Sequence, residues 1–173
     1  DFPTPEHVKT AAMEAIRGDF TRYTPTAGIS ELKQAIANRY LEDYGVTYSE
    51  SETIVTAGGK QALYNIALAL FGRGDEVITP AVTFPTTLTP IVQNNLIPVF
   101  VDCKPGDYNI NAAKIEDAIT DRTRCIFVPH TVGIPADMDV ISNIANKHNL
   151  FLLEDGCDCL GAKWDGKLMG TFG

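Results

Sequence analysis

Two acidic residues, Glu154 and Asp155, follow a short apolar run in the stretch FLLEDGCDCLG. The run, Phe151 to Leu153, has the composition of a buried strand. A carboxylate at the end of a buried strand needs a partner, because burying an unpaired charge is costly. The pattern therefore predicts a site in which Asp155 faces a cation.

A second stretch, TAGGKQAL, passes from a predicted strand to a predicted helix through Gly58 and Gly59. Glycines let the backbone approach a ligand closely, and the start of a helix presents N–H groups that bind anions. The stretch is not a nucleotide P-loop, because that motif needs a glycine in place of Ile54 and Ser or Thr in place of Gln61. A phosphate site and a tight turn without a ligand both remain open for this stretch.

Two further residues lie next to predicted strand ends. Phe84, in TPAVTFPTT, can stack on a flat ring, and it can equally cover the core as a rim residue. His130 can donate to a ligand oxygen, and a hydrogen-bonded structural histidine fits the position as well.

Together these residues predict one class of ligand. A phosphate site, an aromatic side chain and a carboxylate at a strand end suit a planar phosphorylated heterocycle with a basic nitrogen. Asp155 facing a pyridine nitrogen would keep that nitrogen protonated, and a protonated ring withdraws electrons from a bound carbanion. Pyridoxal phosphate has all these features, so we expect it as the cofactor.

The composition excludes several other classes of function. The chain has 173 residues, 45% of them hydrophobic, which suits one globular domain. Its net charge of -8 is a poor match for nucleic acid or an anionic membrane. No apolar stretch approaches the ~20 residues that span a bilayer, and the first residues lack the features of a signal peptide. We therefore expect a cytoplasmic protein with neither nucleic acid nor a membrane as partner.

The four cysteines favour packing over metal binding. Cys103 and Cys125 lie on or beside predicted strands, where a thiol behaves as a small apolar group. Cys157 and Cys159 form a C-x-C pair, which differs from the C-x2-C spacing of a zinc knuckle. We predict no metal site.

The order of predicted elements is typical of an α/β fold. Two helices come first, with Thr4 and Ser30 as expected caps and Gly18 and Gly45 as expected ends. Short apolar strands then alternate with helices, and a small hairpin turns at Asp165–Gly166. The predicted strands are 53–57, 76–80, 97–102, 124–130 and 150–155, and the predicted helices among them are 59–71, 86–95, 111–120 and 137–149.

This alternation predicts a three-layer sandwich, with a mainly parallel sheet of about five strands and helices on both faces. Right-handed crossovers place the carboxyl ends of the strands along one edge, where ligands of such sheets bind. We expect a single α/β domain over 1–173, with N-terminal helices at 1–48 and a cofactor-binding half at 49–173. The segments expected to meet at the edge are Gly58–Gln61, Ala81–Pro85, His130–Ile134 and Asp155–Asp158.

The chain resembles the fold type I pyridoxal-phosphate enzymes in two ways. Residues 1–80 resemble a bacterial aspartate aminotransferase in DFPTPEHVKTAA, FTRYTPTAGI and ETIVTAGGKQALYN. Residues 81–173 resemble the nucleotide-linked 4-keto-6-deoxysugar 3-dehydratases and sugar aminotransferases in PAVTFPTTLTPIVQNNLIPVFVD, YNINAAKIEDAI and LFLLEDGCDCLGAKWDGKLMGTFG. The junction near Pro80 suggests a recombined or engineered chimera built on a truncated large domain of the aspartate-aminotransferase fold.

The resemblance implies a role for each candidate residue. Gly58–Lys60 matches the segment that binds the cofactor phosphate, Phe84 the aromatic on the pyridine ring, and Asp155 the carboxylate paired with the ring nitrogen. Tyr23 matches a tyrosine that reaches the phosphate of the neighbouring subunit in the aminotransferases, which implies a homodimer. Ile134 stands where the dehydratase branch has an asparagine, so the chain departs from the family there.

The resemblance also implies an incomplete catalytic set. In the family, a lysine that binds the cofactor covalently, or a histidine in the 3-dehydratases, follows the Asp155 position by some tens of residues. Lys163 and Lys167 match neither, so we expect no catalytic residue, non-covalent cofactor binding and no turnover. Two alternatives stay open: an aminotransferase completed by a partner chain, and a designed or recombined structural protein without a ligand. We further expect the strand at 53–57 to pair with the strand at 124–129 or to remain an open edge.

Overall fold

A computed structural model describes residues 2–173, and the chain divides into two compact units. The first unit ends at Thr56 and the second begins at Ala57. This division lies close to the predicted boundary between the N-terminal helices and the sheet half, while the single domain over 1–173 stays a prediction. Within residues 2–173, no helix is both long enough and apolar enough to cross a membrane.

Two helices make up most of the first unit. Helix α1 spans Glu6–Arg17 and helix α2 spans Ser30–Tyr44, and a single 3-10 turn follows at Glu50–Glu52. The two helices end at Gly18 and Gly45, as the sequence predicts.

The N-caps that we predicted for these helices are wrong. Pro5 and Ile29 occupy the two cap positions, and neither makes a side-chain cap hydrogen bond. Ser30 is instead the first helical residue, and its hydroxyl donates to Oε1 of Glu50 at 2.6 Å. This competing partner explains the loss of the Ser30 cap, and α1 starts one residue later than a Thr4 cap would require.

The second unit is built on two sheets. In chain order its helices and strands are α3 (Gly59–Leu70), β1 (Glu76–Pro80), α4 (Pro85–Gln93), β2 (Ile97–Val101), β3 (Thr123–Pro129), α5 (Met138–His148), β4 (Phe151–Asp155), β5 (Lys163–Trp164) and β6 (Lys167–Leu168). Strands β1 to β4 form a parallel sheet in the order β2-β1-β3-β4, and β5 and β6 form the predicted antiparallel hairpin.

The parallel sheet has four strands rather than about five. The predicted strand at 53–57 is not formed, and Val55 instead donates its N–H to the carbonyl of Ala27 at 3.0 Å within the first unit. Pairing with β3, one of the two alternatives that we expected for this stretch, is also wrong. Strands β1 and β4 already pair with the two edges of β3, so no edge of that strand is left for another partner.

The helix predicted over 111–120 is replaced by two 3-10 turns, Ala112–Lys114 and Glu116–Ala118. Ile115 between the turns is fully buried, and Ile119 after them returns to an extended backbone. The hydroxyl of Thr120 donates to the carboxylate of Glu76 at 2.5 Å. The buried Ile115 and the hydrogen bond of Thr120 hold the segment in this irregular shape in place of a regular α-helix.

Alternate residues of the strands face opposite sides of the sheet, as the geometry of extended chains requires. One face packs on α5 and the other packs on α3 and α4, which confirms the three-layer α/β sandwich. The α5 face includes Ile78, Ile126, Val128, Met138 and Ile141, and the opposite face includes Ala67, Val77, Ile91, Cys125 and Phe127.

Replacing Ile126 by alanine should lower the free energy of unfolding by about 2–5 kcal/mol, because Ile126 is fully buried and the change leaves a cavity. The control Val92→Ala alters an exposed residue of α4 and should cost no more than about 0.5 kcal/mol. Urea unfolding followed by the fluorescence of Trp164, the one tryptophan of the chain, measures both. Equal losses in the two variants would contradict the core assigned to β3.

Candidate functional site

The carboxyl edge of the sheet carries a cavity of about 570 Å³. Four parts of the chain form its wall: the start of α3, the segment between β1 and α4, the turn after β3 and the turn after β4. The structure thus brings together the segments that the sequence predicts at this edge. The lining residues are Gly59, Lys60, Thr83, Phe84, Pro85, Thr86, Pro129, His130, Thr131, Val132, Asp155, Cys157 and Asp158.

Most of the residues predicted to bind the cofactor lie in this wall. Gly58 immediately precedes α3 and forms its N-cap, while Tyr23 belongs to the first unit and has a fully exposed side chain. The roles of all these residues stay predictions. Those that line the cavity are Gly59, Lys60, Phe84, His130 and Asp155.

The start of α3 has the features of an anion site. Gly58 has φ 93°, a backbone conformation that favours glycine. The first turn of the helix contains no acidic residue of its own, and the positive end of a helix dipole attracts anions such as the phosphate or carboxylate group of a ligand.

Lys60 adds a positive charge beside this helix start. Its Nζ atom lies 5.8 Å from the centre of the Phe84 ring, within reach of a cation–π contact. Most of the Phe84 side chain is nevertheless exposed, at 65%, so the ring offers apolar surface to a flat ligand. Cationic and aromatic groups therefore occupy the same side of the cavity.

The turn after β4 supplies negative charge. Asp155 ends the strand, and its Oδ1 accepts the backbone N–H of Cys157 at 3.2 Å. Asp158 contributes a second carboxylate to the wall. A β-carbon added to Gly59 would lie 3.5 Å from the sulfur of Cys157, so this turn lies directly against the start of α3. Positive charge from Lys60 and negative charge from Asp155 and Asp158 thus lie in one cavity.

The thiol of Cys157 is held in its protonated form. A hydrogen bond to Asp155, together with partial burial and the charges of Asp155 and Asp158, raises the pKa of Cys157 to about 11. The thiol therefore acts as a donor to the Asp155 carboxylate at neutral pH rather than as a nucleophile. With the backbone N–H, it gives Asp155 a second donor from the same residue.

The turn after β3 has a strained backbone. Val132 has φ 51° and ψ 28°, a left-handed conformation that costs a β-branched residue about 1–2 kcal/mol. Gly133 follows with φ 80°, and a β-carbon added to it would lie 2.8 Å from the carbonyl oxygen of Asp158. The turns after β3 and β4 therefore touch, and this contact fixes one wall of the cavity.

Behind the cavity, the carboxylate of Glu154 accepts several hydrogen bonds, although the sequence pattern predicted no role for this residue. Nε2 of His130 lies 3.1 Å from its Oε2, and backbone N–H groups of the C-terminal turn donate to it at 2.6–2.8 Å. Strand periodicity was the available signal, because neighbours of Asp155 on a strand must face the other side of the sheet. The donors of the turn are Gly170, Phe172 and Gly173.

Both ring nitrogens of His130 have protein partners. Nε2 faces Glu154, and Nδ1 accepts the N–H of Ala136 at 3.3 Å. The side chain is fully buried, so the geometry favours a structural histidine over a donor to a ligand. Among residues 2–173, no group of three or more His, Cys, Asp or Glu is arranged to hold a metal ion, and the four cysteines are free thiols.

Comparison with solved structures identifies the class of protein that this fold and cavity define, the fold type I pyridoxal-phosphate enzymes. The chain superimposes on an aspartate aminotransferase double mutant from Thermus thermophilus with a TM-score of 0.84 and 32% identity, over 90% of this chain and 43% of that one. The aspartate aminotransferase of Rhizobium meliloti gives a TM-score of 0.84 at 33% identity, over 90% and 41% of the two chains.

The model of the DegT/DnrJ/EryC1/StrS aminotransferase family matches residues 35–173, and the chain belongs to this family. The chain is 55% identical over 100 residues to a dTDP-4-dehydro-2,6-dideoxy-D-glucose 3-dehydratase of Saccharopolyspora spinosa, covering 58% of this chain and 22% of that protein. It is 34% identical over 149 residues to a probable aspartate/prephenate aminotransferase of Rickettsia felis, covering 84% and 36%. The chain therefore spans well under half the length of these relatives, which represent both branches of the predicted resemblance.

Replacing Gly133 by alanine should destabilise the second unit, because the new β-carbon meets the Asp158 carbonyl and the backbone conformation is strained. Gly161→Ala is the matched control, since Gly161 has φ 82° but no atom within 4 Å of the added carbon. We expect Gly133→Ala to cost at least about 1 kcal/mol more than the control in urea unfolding. Equal costs would show that the contact between the two turns is absent.

Cys157 should react slowly with iodoacetamide at pH 8, and its alkylation rate should rise steeply up to about pH 11, because only the thiolate reacts. Asp155→Asn removes the charge and the hydrogen bond that raise the thiol pKa, so this variant should react faster at pH 8. Mass spectrometry of the Cys157 peptide measures the rate in both proteins. An unchanged rate in the variant would contradict the contact between Cys157 and Asp155.

Proposed function

We propose that the cavity binds pyridoxal phosphate non-covalently, as the cofactor site of an aminotransferase or sugar-dehydratase type of protein. The observation that carries the proposal is the charge arrangement in the cavity. The start of α3 and Lys60 offer positive charge, and the strand-end carboxylate of Asp155 lines the same cavity. A ligand with an anionic phosphate and a protonated ring nitrogen matches both kinds of charge.

The residues present fit the cofactor group by group. The N–H groups at the start of α3 would hold the phosphate, with Lys60 as a nearby positive charge. Phe84 would lie against the ring, and Asp155 would accept a hydrogen bond from the ring nitrogen. When bound, pyridoxal phosphate supplies a protonated, electron-withdrawing ring that stabilises a carbanion on its substrate.

The proposed binding does not depend on a covalent bond to lysine. Among residues 2–173 that line the cavity, Lys60 is the only lysine, and its Nζ lies over Phe84 beside the helix start. Lys163 and Lys167 lie instead in the β5–β6 hairpin. The absence of turnover remains our prediction for these residues.

We infer the type of reaction that this site serves from two relatives, one from each of the two enzyme groups that the chain resembles. One is named a 3-dehydratase of a dTDP-linked keto sugar, and another a probable aspartate/prephenate aminotransferase. The higher identity of the former favours a sugar-modifying enzyme as the closer functional relative. A homodimer, in which Tyr23 reaches the phosphate of the other subunit, belongs to this proposal and would be seen as a doubled mass in solution.

Asp155→Asn should weaken pyridoxal phosphate binding about ten- to a hundredfold, because a hydrogen bond to a charged group contributes about 1.5–3 kcal/mol. Titration followed by the absorption of the bound cofactor gives the Kd. Asp158→Asn is the matched control, because it removes the same charge from the same cavity without touching the strand-end carboxylate. We expect a much smaller change there, and a circular dichroism spectrum shows that each variant is folded.

Two outcomes would contradict the proposal. Absence of a bound chromophore at millimolar cofactor would favour the reading of a structural protein without a ligand. Equal losses in Asp155→Asn and Asp158→Asn would indicate general electrostatic attraction in place of a specific partner for the ring nitrogen. Borohydride reduction followed by mass spectrometry should leave every lysine unmodified if binding is non-covalent.

A further inference from the structure

We propose that Glu154 is a positioning residue for the cavity, whose buried carboxylate fixes the turn after β3 in the place where that turn forms the wall. An effect of Glu154 on cofactor binding presupposes the proposed function. An effect of Glu154 on the shape of the wall does not require a ligand, so the two effects can be tested separately.

Glu154 and Asp155 are neighbours on β4 and therefore face opposite sides of the sheet. Leu153, two residues before Asp155, packs on the α3 and α4 side, and Leu152, two residues before Glu154, packs on the α5 side. Asp155 thus faces the cavity while Glu154 faces the packed interior behind it. Only 4% of the Glu154 side chain is exposed.

The Glu154 carboxylate is fully engaged in this interior. Oε2 contacts Nε2 of His130 at 3.1 Å and accepts the N–H of Gly170 at 2.8 Å. Oε1 accepts the N–H groups of Phe172 and Gly173 at 2.6 and 2.8 Å. Burial raises the pKa of Glu154, but the hydrogen bonds from His130 and the three backbone donors outweigh it and leave the pKa below its usual value. The group is therefore an ionised, strong acceptor at neutral pH.

His130 connects this carboxylate to the cavity wall. Because Ala136 donates its N–H to Nδ1, the imidazole proton lies on Nε2 and is donated to Glu154. The segment from His130 to Ala136 is thereby held at both ends by one ring. Thr131 and Val132 lie inside this segment and line the cavity, and Val132 keeps its strained left-handed backbone there.

A test uses Glu154→Gln, which keeps the shape of the side chain but loses its charge and one acceptor oxygen. Pyridoxal phosphate should bind about tenfold more weakly to this variant, as is usual when a supporting hydrogen bond behind a site is lost. Glu116→Gln is the matched control, because Glu116 is also a glutamate paired with a histidine, His148, but outside the cavity. Its affinity should equal that of the wild type.

A double-mutant cycle with His130→Gln separates positioning from general loss of stability. If Glu154 acts through His130, the double variant should bind pyridoxal phosphate no more weakly than whichever single variant binds it more weakly. Additive losses, or an unchanged affinity in Glu154→Gln, would overturn the proposal. His130→Gln also leaves the backbone donors of Glu154 in place, so it provides the test if Glu154→Gln fails to fold.

The final measurement needs no ligand. In proton–nitrogen NMR spectra of the whole chain, Glu154→Gln should shift the amide signals of Thr131, Val132 and Ala136, while Glu116→Gln should not. If the wild type binds no pyridoxal phosphate but these signals shift, the proposed function fails and the positioning role stands. If the signals of the turn are unchanged in a folded Glu154→Gln, the positioning role fails whatever the cofactor does.

Discussion

Parallel pairing of β1, β3 and β4 is the constraint on which the candidate site depends. Since the strands run in one direction, the segments that follow them must leave the sheet at the same edge. The register then decides which residues become neighbours: Pro129 pairs with Asp155, and the N–H of His130 reaches the carbonyl of Asp155 at 3.2 Å. Strand pairing, rather than any loop by itself, brings a carboxylate and an imidazole to the same place from distant parts of the chain.

The same sheet also separates two kinds of acidic chemistry. The carboxylate of Asp155 lines a cavity that also carries the start of α3 and Lys60, which suits a ligand of mixed charge. The carboxylate of Glu154 instead accepts hydrogen bonds from donors of the protein itself. One strand end therefore provides Asp155 for a ligand and Glu154 for the wall of the cavity. The difference between them is burial, because a buried carboxylate must have partners within the protein.

Much of this arrangement could be predicted from local patterns. Apolar runs located β1 to β4, and the rule for strand ends located the cavity segments, including Phe84 and Asp155. The stretch at 53–57 misled us because it has strand composition, whereas the edges of β3 belong to other strands. The partners of Glu154 could not be predicted from the sequence, because Phe172 and Gly173 contact it only after the chain turns back. The role of Tyr23 depends on a second subunit and stays a prediction.

Consecutive placement of the two acids also limits how the site can change over evolution. An insertion or deletion of one residue within β4 would exchange their faces: the longer side chain of Glu154 would enter the cavity and Asp155 would be left too short for the interior donors. The length of β4 is therefore a physical constraint on the site. Thr86 and Val132 line the cavity outside the strands, so replacing them would change the lining without changing the register of the sheet.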